Sequence, residues 1–161
     1  EGLRVAVNDL ESQSGLNCLR AKLASLGLPS PFFSAMRLSG GHRASLAAVA
    51  GGICDVAAID AVTLALLRRY APDEVAGIRV LDWTDAAPGL PLVTAINTPP
   101  AEIEHLRSGL KAVLQDPSSQ ALLAPLLISG MTVTGQGDYE AILEMERQAG
   151  DFMLAAEVEQ G

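Results

Sequence analysis

The first seventy residues repeat one order of elements three times: an apolar run, a polar turn and a stretch with helical spacing. The apolar runs cover residues 3–7, 33–38 and 54–59, and each predicts a strand. Strands that alternate with helices are typical of a parallel sheet with crossover helices on its faces. This repetition constrains the fold most strongly, and it predicts an α/β lobe with a mainly parallel sheet flanked by helices.

The remaining residues predict fewer strands and more helices. We expect short strands at residues 78–81 and 92–96, separated by a Pro/Gly-rich crossover. Helical patterns then predict a C-terminal helical return segment whose acidic tail, after Gly150, frays. The predicted domains are an anion-cradling lobe over residues 1–84, a crossover over 85–98, and a helical segment over 99–161 that belongs to or returns toward another lobe.

The charge of the chain argues against nucleic-acid binding and favours its first half for anion binding. The net charge is −8, whereas nucleic-acid binding needs a basic footprint, so we expect no nucleic-acid partner. Residues 1–70 hold seven Lys/Arg against five Asp/Glu, whereas residues 71–161 hold four against fourteen. The first half is therefore the better host for an anion.

The polar turns that follow the three strands are the expected binding segments. In open α/β sheets, ligands bind beyond the carboxyl ends of the strands, which lie at one edge when the strands are parallel. The first turn contains Ser12, Gln13, Ser14 and Gly15 at a helix start. The free N–H groups of a helix start, with hydroxyl and amide side chains, suit an oxyanion. An ordinary helix cap with additional serines is the alternative interpretation.

The second and third turns extend this edge. Ser39 and two glycines let the backbone approach a ligand, and His42, in the next helical turn, can donate a hydrogen bond to an anion. Asp60, at the end of the third strand, can accept from a ligand hydroxyl or ammonium group, or can cap the next helix.

Motifs of catalysis and metal binding are absent from the sequence. It contains no nucleophile elbow, no Walker A loop and no Gly-x-Gly-x-x-Gly. Its two histidines and two cysteines lack the spacing of metal ligands, so we expect neither a metal nor a cofactor. A Ser14, His42 and Asp60 triad is conceivable, but nothing in the sequence orders it. The interpretation that follows is a binding protein rather than an enzyme.

Three runs of residues in this order carry a family resemblance. Residues 5–17 (VAVNDLESQSGLN) resemble the VNDPxSxSGYNALR block of the PhnD-like phosphate, phosphite and phosphonate binding proteins of ABC transporters. Residues 39–45 (SGGHRAS) resemble their SGSHRAS turn, and residues 55–61 (DVAAIDA) match their third strand. Trp83-Thr84 and residues 88–91 are similar to the segment that leads back to the first lobe. The resemblance is close over residues 3–96 and looser beyond them.

The resemblance implies a type II periplasmic-binding-protein fold, in which a ligand closes between two α/β lobes. It implies that Ser12, Gln13, Ser14 and His42 hold the anion and that Asp60 contacts the rest of the ligand. It also implies a membrane permease as partner and a periplasmic location. Gln13 and Gly41 depart from the Thr and Ser of the family pattern, so we expect the ligand preference to differ.

Several expectations concern the whole protein. The sequence opens at Glu1-Gly2 and lacks the family's N-terminal lobe segment, so we expect a fragment or a processed product. No signal segment is visible, so a cytoplasmic location stays an alternative to the periplasm. Exposed sheet edges leave a homodimer open. The alternatives are the effector domain of a LysR-type regulator and a small-molecule enzyme of the same fold.

Overall fold

The computed structural model describes residues 2–160. Strand β1 (Arg4–Val7) lies inside a four-stranded sheet in which all pairs are parallel. The strand order is β3 (Val56–Ala57), β1, β2 (Phe33–Leu38) and β4 (Ala155–Gln160). The predicted α/β lobe with a mainly parallel sheet is confirmed.

The central strand is β1 because it is apolar on both faces. Val5, Ala6 and Val7 are each fully buried, as expected for a parallel strand covered by helices on both sides. Val5 pairs with Met36 on one side and with Val56 on the other. This double pairing fixes where the neighbouring strands end, and so fixes the edge at which the polar turns lie.

Six α-helices and several short helical turns lie between the strands along the described part of the chain. A π-helical turn (Gln13–Asn17) leads directly into α1 (Cys18–Ser25), and α2 (His42–Ala50) follows β2. The other helices are α3 (Ala61–Tyr70), α4 (Pro100–Gln115), α5 (Pro117–Leu123) and α6 (Glu140–Ala149). Short 3-10 turns occur at Pro72–Glu74, Ala124–Leu126 and Gln136–Tyr139. No helix in the described part of the chain is long and apolar enough to cross a membrane.

Alternate residues of β1 contact two different apolar clusters. Val5 and Val7 pack with Leu23 of α1, whereas Ala6 packs with Ala48 of α2. The two helices therefore cover opposite faces of the sheet, because successive side chains of a strand point to opposite sides.

Residues 150–160 are ordered rather than frayed, and the prediction for this tail was wrong. Phe152 and Leu154 are buried in the same cluster as Val5. The backbone N–H groups of Phe32 and Phe33 donate to the carbonyl of Leu154, and β4 then pairs with β2. Burial of two large apolar side chains outweighs the repulsion of an acidic strand.

The two other predicted strands, at residues 78–81 and 92–96, were also wrong. Ile78 and Val80 pack by their side chains against the cluster that contains Leu46 and Leu64. Neither segment forms a strand with a partner in the described residues. An apolar run becomes a strand only where a neighbour supplies the ladder of hydrogen bonds.

The chain forms two compact units. One contains the residues up to Pro88 together with those from Tyr139 onward, and the other is Gly89–Asp138. The second unit contains α4 and α5, and none of its residues is buried. Ile103, Leu110 and Leu114 form the half-buried stripe of α4, at the spacing of an amphipathic helix. The three-part division at residues 84 and 98 stays a prediction about the lobes of the protein.

Candidate functional site

Three helix starts lie beyond the carboxyl ends of β1, β2 and β3. The π-helical turn is capped by Ser12, α2 starts after Gly41, and α3 is capped by Asp60. Since the three strands are parallel, these starts share one edge of the sheet. The topology thus places all three predicted binding segments where an α/β sheet offers a ligand site.

The first helix start presents free backbone donors. The Ser12 hydroxyl accepts a hydrogen bond from the Gly15 N–H at 3.0 Å, and the Ser12 carbonyl accepts from Leu16 at 3.1 Å. The N–H groups of Gln13 and Ser14 have no acceptor within the described residues. Such groups carry the positive end of the helix dipole and suit an anion.

Gly15 is held tightly inside this turn. It is buried, and a β-carbon at this position would overlap Asn8 Oδ1 and lie 3.1 Å from Ser12 Oγ. Asn8 Oδ1 is itself buried and has no hydrogen-bond partner among residues 2–160. Gly15 therefore serves the site by its small size, which lets the helix start approach the end of β1.

The side chain of Gln13 contacts α6. Its Nε2 lies 3.3 Å from Met145 Sδ and 3.4 Å from Cys18 Sγ, and its Oε1 accepts from Asn17 Nδ2 at 2.6 Å. Both ends of the amide are thus occupied inside the protein. Only the backbone N–H of Gln13 is free, and a contact between its side chain and a ligand stays a prediction.

Ser14 and His42 join the first two segments. Ser14 Oγ lies 3.0 Å from His42 Nε2, and the other ring nitrogen, Nδ1, is buried without a partner in the described chain. If Nε2 carries the proton, the ring donates to Ser14, and the serine hydrogen is then free for an anion. The ring N–H and the serine O–H then form a chain of two donors, in which the ring N–H polarises the serine hydroxyl.

Ser39 is bonded inside the turn. Its backbone N–H donates to the Val7 carbonyl at 2.9 Å, and its hydroxyl lies 2.6 Å from Ser45 Oγ. Gly40, with a φ of 80°, donates its N–H to the Asn8 carbonyl at 3.0 Å. The turn is therefore fastened to the end of β1.

Gly41 supplies the free donor of this turn. Its N–H has no acceptor among residues 2–160, and it lies directly before the first turn of α2. The N–H groups of that first turn also lack helical partners. The second helix start thus offers the same kind of donors as the first.

Asp60 caps α3. Its Oδ1 accepts from the Thr63 N–H at 2.7 Å, which leaves the second carboxylate oxygen for another donor. Asp60 makes no hydrogen bond to His42, whose Nδ1 is the atom that a triad carboxylate would orient. The structure therefore brings Ser14 and His42 together but does not complete a Ser/His/Asp triad.

The cation next to His42 is already paired. Arg43 donates to both carboxylate oxygens of Glu74, with Nε at 2.6 Å from Oε2. This ion pair raises the pKa of Arg43 and lowers the pKa of Glu74. The charge of Arg43 is therefore balanced by Glu74, and the uncharged donors of this edge are hydroxyls, backbone N–H groups and an imidazole.

An open groove of about 600 Å³ lies along the same edge. Its lining residues follow β1 and β2 or end β4, and are Asn8, Asp9, Leu10, Glu11, Leu38, Ser39, Gly40 and Gln160. Ser14 and His42 do not line this groove. The groove includes Ser39 and Gly40 of the second turn, but not the Ser14–His42 pair. Asn8 begins the first predicted binding segment, residues 8–15, although the sequence did not single it out within that segment.

Metal binding finds no support among the described residues. No group of three or more His, Cys, Asp or Glu side chains lies close enough to hold an ion. Cys18 and Cys54 are free and buried, and burial raises the pKa of both thiols.

Comparison with known proteins gives one match. Residues 1–139 match the family model described as the periplasmic substrate-binding protein of phosphonate ABC transporters. The chain belongs to this phosphonate-binding family. No curated protein matches the chain significantly.

Membership of the phosphonate-binding family confirms the resemblance carried by the three turns. The family supplies the periplasmic substrate-binding component of an ABC transporter, which works with a small ligand and a membrane permease. It is not an enzyme family. The three turns with their helix starts all lie inside the matched range.

Proposed function

We propose that the chain captures a phosphate- or phosphonate-like oxyanion at the Ser14–His42 pair, as the solute-binding component of an ABC importer. The observation that supports this most directly is the 3.0 Å hydrogen bond between Ser14 Oγ and His42 Nε2. It places a hydroxyl and an imidazole beside free N–H groups of two helix starts. Several donors that converge from different elements are what a tetrahedral anion requires.

Each residue has a distinct role in this proposal. Ser14 donates its hydroxyl hydrogen and its N–H, and His42 supplies the hydrogen bond that polarises the hydroxyl. Gly41 donates its N–H from the second helix start, and Ser12 stabilises the first by capping it. Asp60 accepts from a hydroxyl or ammonium group on the ligand through its free oxygen.

The proposed role is binding without catalysis, and the ligand is held until the lobes close on it. A serine nucleophile needs a base that a third group orients. Here the buried Nδ1 of His42 has no partner in residues 2–160, so the ring lacks that orienting group. The Ser14 hydroxyl, oriented by His42, is well suited to donating a hydrogen bond to an anion.

Isothermal titration calorimetry tests the proposal. The protein is titrated with phosphate, phosphite, methylphosphonate and sulfate, and we expect binding of at least one phosphorus oxyanion. Ser14→Ala and His42→Ala should each weaken that binding by about 1–3 kcal/mol, because the first removes a donor to the charged ligand and the second removes the hydrogen bond that orients and polarises that donor. This corresponds to a rise in Kd of roughly 5- to 150-fold.

Matched controls separate lost donors from general damage. Ser25→Ala removes an exposed serine at the end of α1, and His105→Ala removes an exposed histidine within α4. Both should leave the Kd unchanged. Failure of the wild-type protein to bind any of the four anions would contradict the proposal.

A further inference from the structure

Ser45 is a buried polar residue of α2, the helix that follows the second turn. It is 0% exposed and is the one polar or charged side chain buried among the described residues. A buried hydroxyl is normally paired, because an unpaired one keeps its desolvation penalty. Its partner is Ser39, at 2.6 Å between the two hydroxyl oxygens. Ser39 and Ser45 are called the serine pair below.

The serine pair connects three elements. Ser45 belongs to α2, and Ser39 Oγ lies 3.2 Å from the Val7 carbonyl at the end of β1. Ser39 Oγ also lies 3.2 Å from the Gly41 carbonyl, which accepts the Ser45 N–H at 2.9 Å. If Ser45 donates to Ser39, the Ser39 hydrogen is free for one of the two carbonyls. Both hydroxyls are then satisfied internally.

The part of the turn between Ser39 and His42 has no side chains to fix its backbone. Gly40 and Gly41 carry none, and Gly40 adopts a positive φ. Glycines leave a backbone free to adopt many conformations unless neighbours hold it. The hydroxyl of Ser39 lies within hydrogen-bond distance of the Val7 carbonyl before this glycine segment and of the Gly41 carbonyl within it, and can donate to either.

We infer that Ser45 is a positioning residue for the anion site and that Ser39 acts with it, not as a direct ligand contact. The serine pair holds the Gly41 N–H and the start of α2, and with it His42, in the position from which His42 meets Ser14. This inference rests on the proposed function of that site. It assigns a role to a side chain that does not line the edge itself.

The test measures affinity and stability on the same variants. Ser45→Ala should raise the Kd for phosphate or methylphosphonate about tenfold, comparable to one lost hydrogen bond to a charged group. Ala48→Gly is the control, since it also trims a buried α2 side chain and destabilises the helix but removes no hydroxyl. It should leave the Kd within about twofold, because a loss of helix stability alone does not move the donors.

A double-mutant cycle tests whether the pair acts as a unit. Ser39→Ala with Ser45→Ala should weaken binding no more than Ser39→Ala alone, because both changes break one connection. Amide nitrogen and hydrogen shifts of Gly41, and the ring nitrogen shifts of His42, should change in the single variants. A direct ligand contact by Ser39 would instead give additive losses, and it would overturn the inference.

The remaining outcomes are distinct. If the wild-type protein binds and Ser14→Ala loses affinity while Ser45→Ala behaves like Ala48→Gly, the inference fails and the proposed function stands. If the wild-type protein binds none of phosphate, phosphite, methylphosphonate and sulfate, both fail. Should Ser45→Ala not fold, Ser45→Cys keeps the volume, offers only a weak S–H donor and takes its place.

Discussion

Gly15 lies where the first helix start meets the end of β1, and its replacement by alanine tests the geometry of that turn. The new β-carbon would overlap Asn8 Oδ1 and would lie 2.8 Å from Asn8 Cγ and 3.1 Å from Ser12 Oγ. Asn8 must therefore rotate toward the groove that it lines, and the Ser12 cap must shift by a few tenths of an ångström. The helix itself gains, since alanine is the better helix residue.

The expected change in the free energy of unfolding is the cost of the clash minus the gain in helix propensity. Overpacking a buried position costs about 1–3 kcal/mol, whereas Gly→Ala within a helix gains about 0.5–1 kcal/mol. Asn8 Oδ1 is buried, so its side chain has to leave an enclosed position to make room, which favours the middle of that cost range, about 2 kcal/mol. We expect Gly15→Ala to lower the free energy of unfolding by about 1 kcal/mol.

Urea unfolding followed by circular dichroism measures this change. Gly109→Ala, within α4 and with open space around its β-carbon, is the control and should stabilise by about 0.5–1 kcal/mol. Asn8→Ala alone should be nearly neutral, because the buried Oδ1 makes no hydrogen bond within residues 2–160. Combining Asn8→Ala with Gly15→Ala should recover most of the loss. A double variant as unstable as Gly15→Ala would refute the assigned clash.

Two further predictions concern a cap and the thiols. Asp60→Ala should destabilise by about 1 kcal/mol through loss of the bond to the Thr63 N–H, while Asp60→Asn keeps the cap and should cost little; equal losses in urea unfolding would contradict the capping role. Burial raises the pKa of the Cys18 and Cys54 thiols, so little thiolate forms in the folded protein. Both thiols should react slowly with a disulfide reagent at pH 8 and rapidly in urea; rapid labelling of the folded protein would contradict this burial.

The sequence was sufficient to place the three polar turns. Apolar runs with helical patterns between them predict parallel strands, and parallel strands bring their carboxyl ends to one edge. The Ser14–His42 contact spans 28 residues, yet the pattern of local elements predicted that both lie at this edge. A short-range pattern is enough here because the topology of crossover connections leaves few alternatives.

Pairing with the end of the chain was not predictable in the same way. Strand β4 (Ala155–Gln160) is acidic and mostly exposed, and it forms because Phe152 and Leu154 enter the core and bring it next to β2. The residues at 78–81 and 92–96 have stronger strand patterns but find no ladder partner among the described residues. Strand propensity depends on the neighbour that is available, and distant neighbours are not readable from local spacing.

The serine pair shows a second limit of sequence reasoning. Ser39 was predicted as a ligand-binding residue because it precedes two glycines that let the backbone approach a ligand. The sequence does not show which atoms its hydroxyl contacts. In the structure this hydroxyl contacts Ser45, which is completely buried. Ser14 thus contacts His42 and Ser39 contacts Ser45, a difference that the fold reveals, while a ligand contact by Ser39 stays a prediction.

Gln13, where the chain departs from the family pattern, contacts the rest of the protein through its side chain. The family pattern has a threonine here, whose short side chain would stay near the helix start. The longer amide reaches α6 and contacts Met145 and Cys18, and Asn17 donates both to Gln13 and to the Ile142 carbonyl. The first helix start is therefore fastened to α6 while its N–H groups stay free. Relative to the family pattern, one hydroxyl donor is lost, while the helix start that carries Ser14 is fixed by the contacts of Gln13. We therefore expect selectivity among anions to depend on Ser14 and His42.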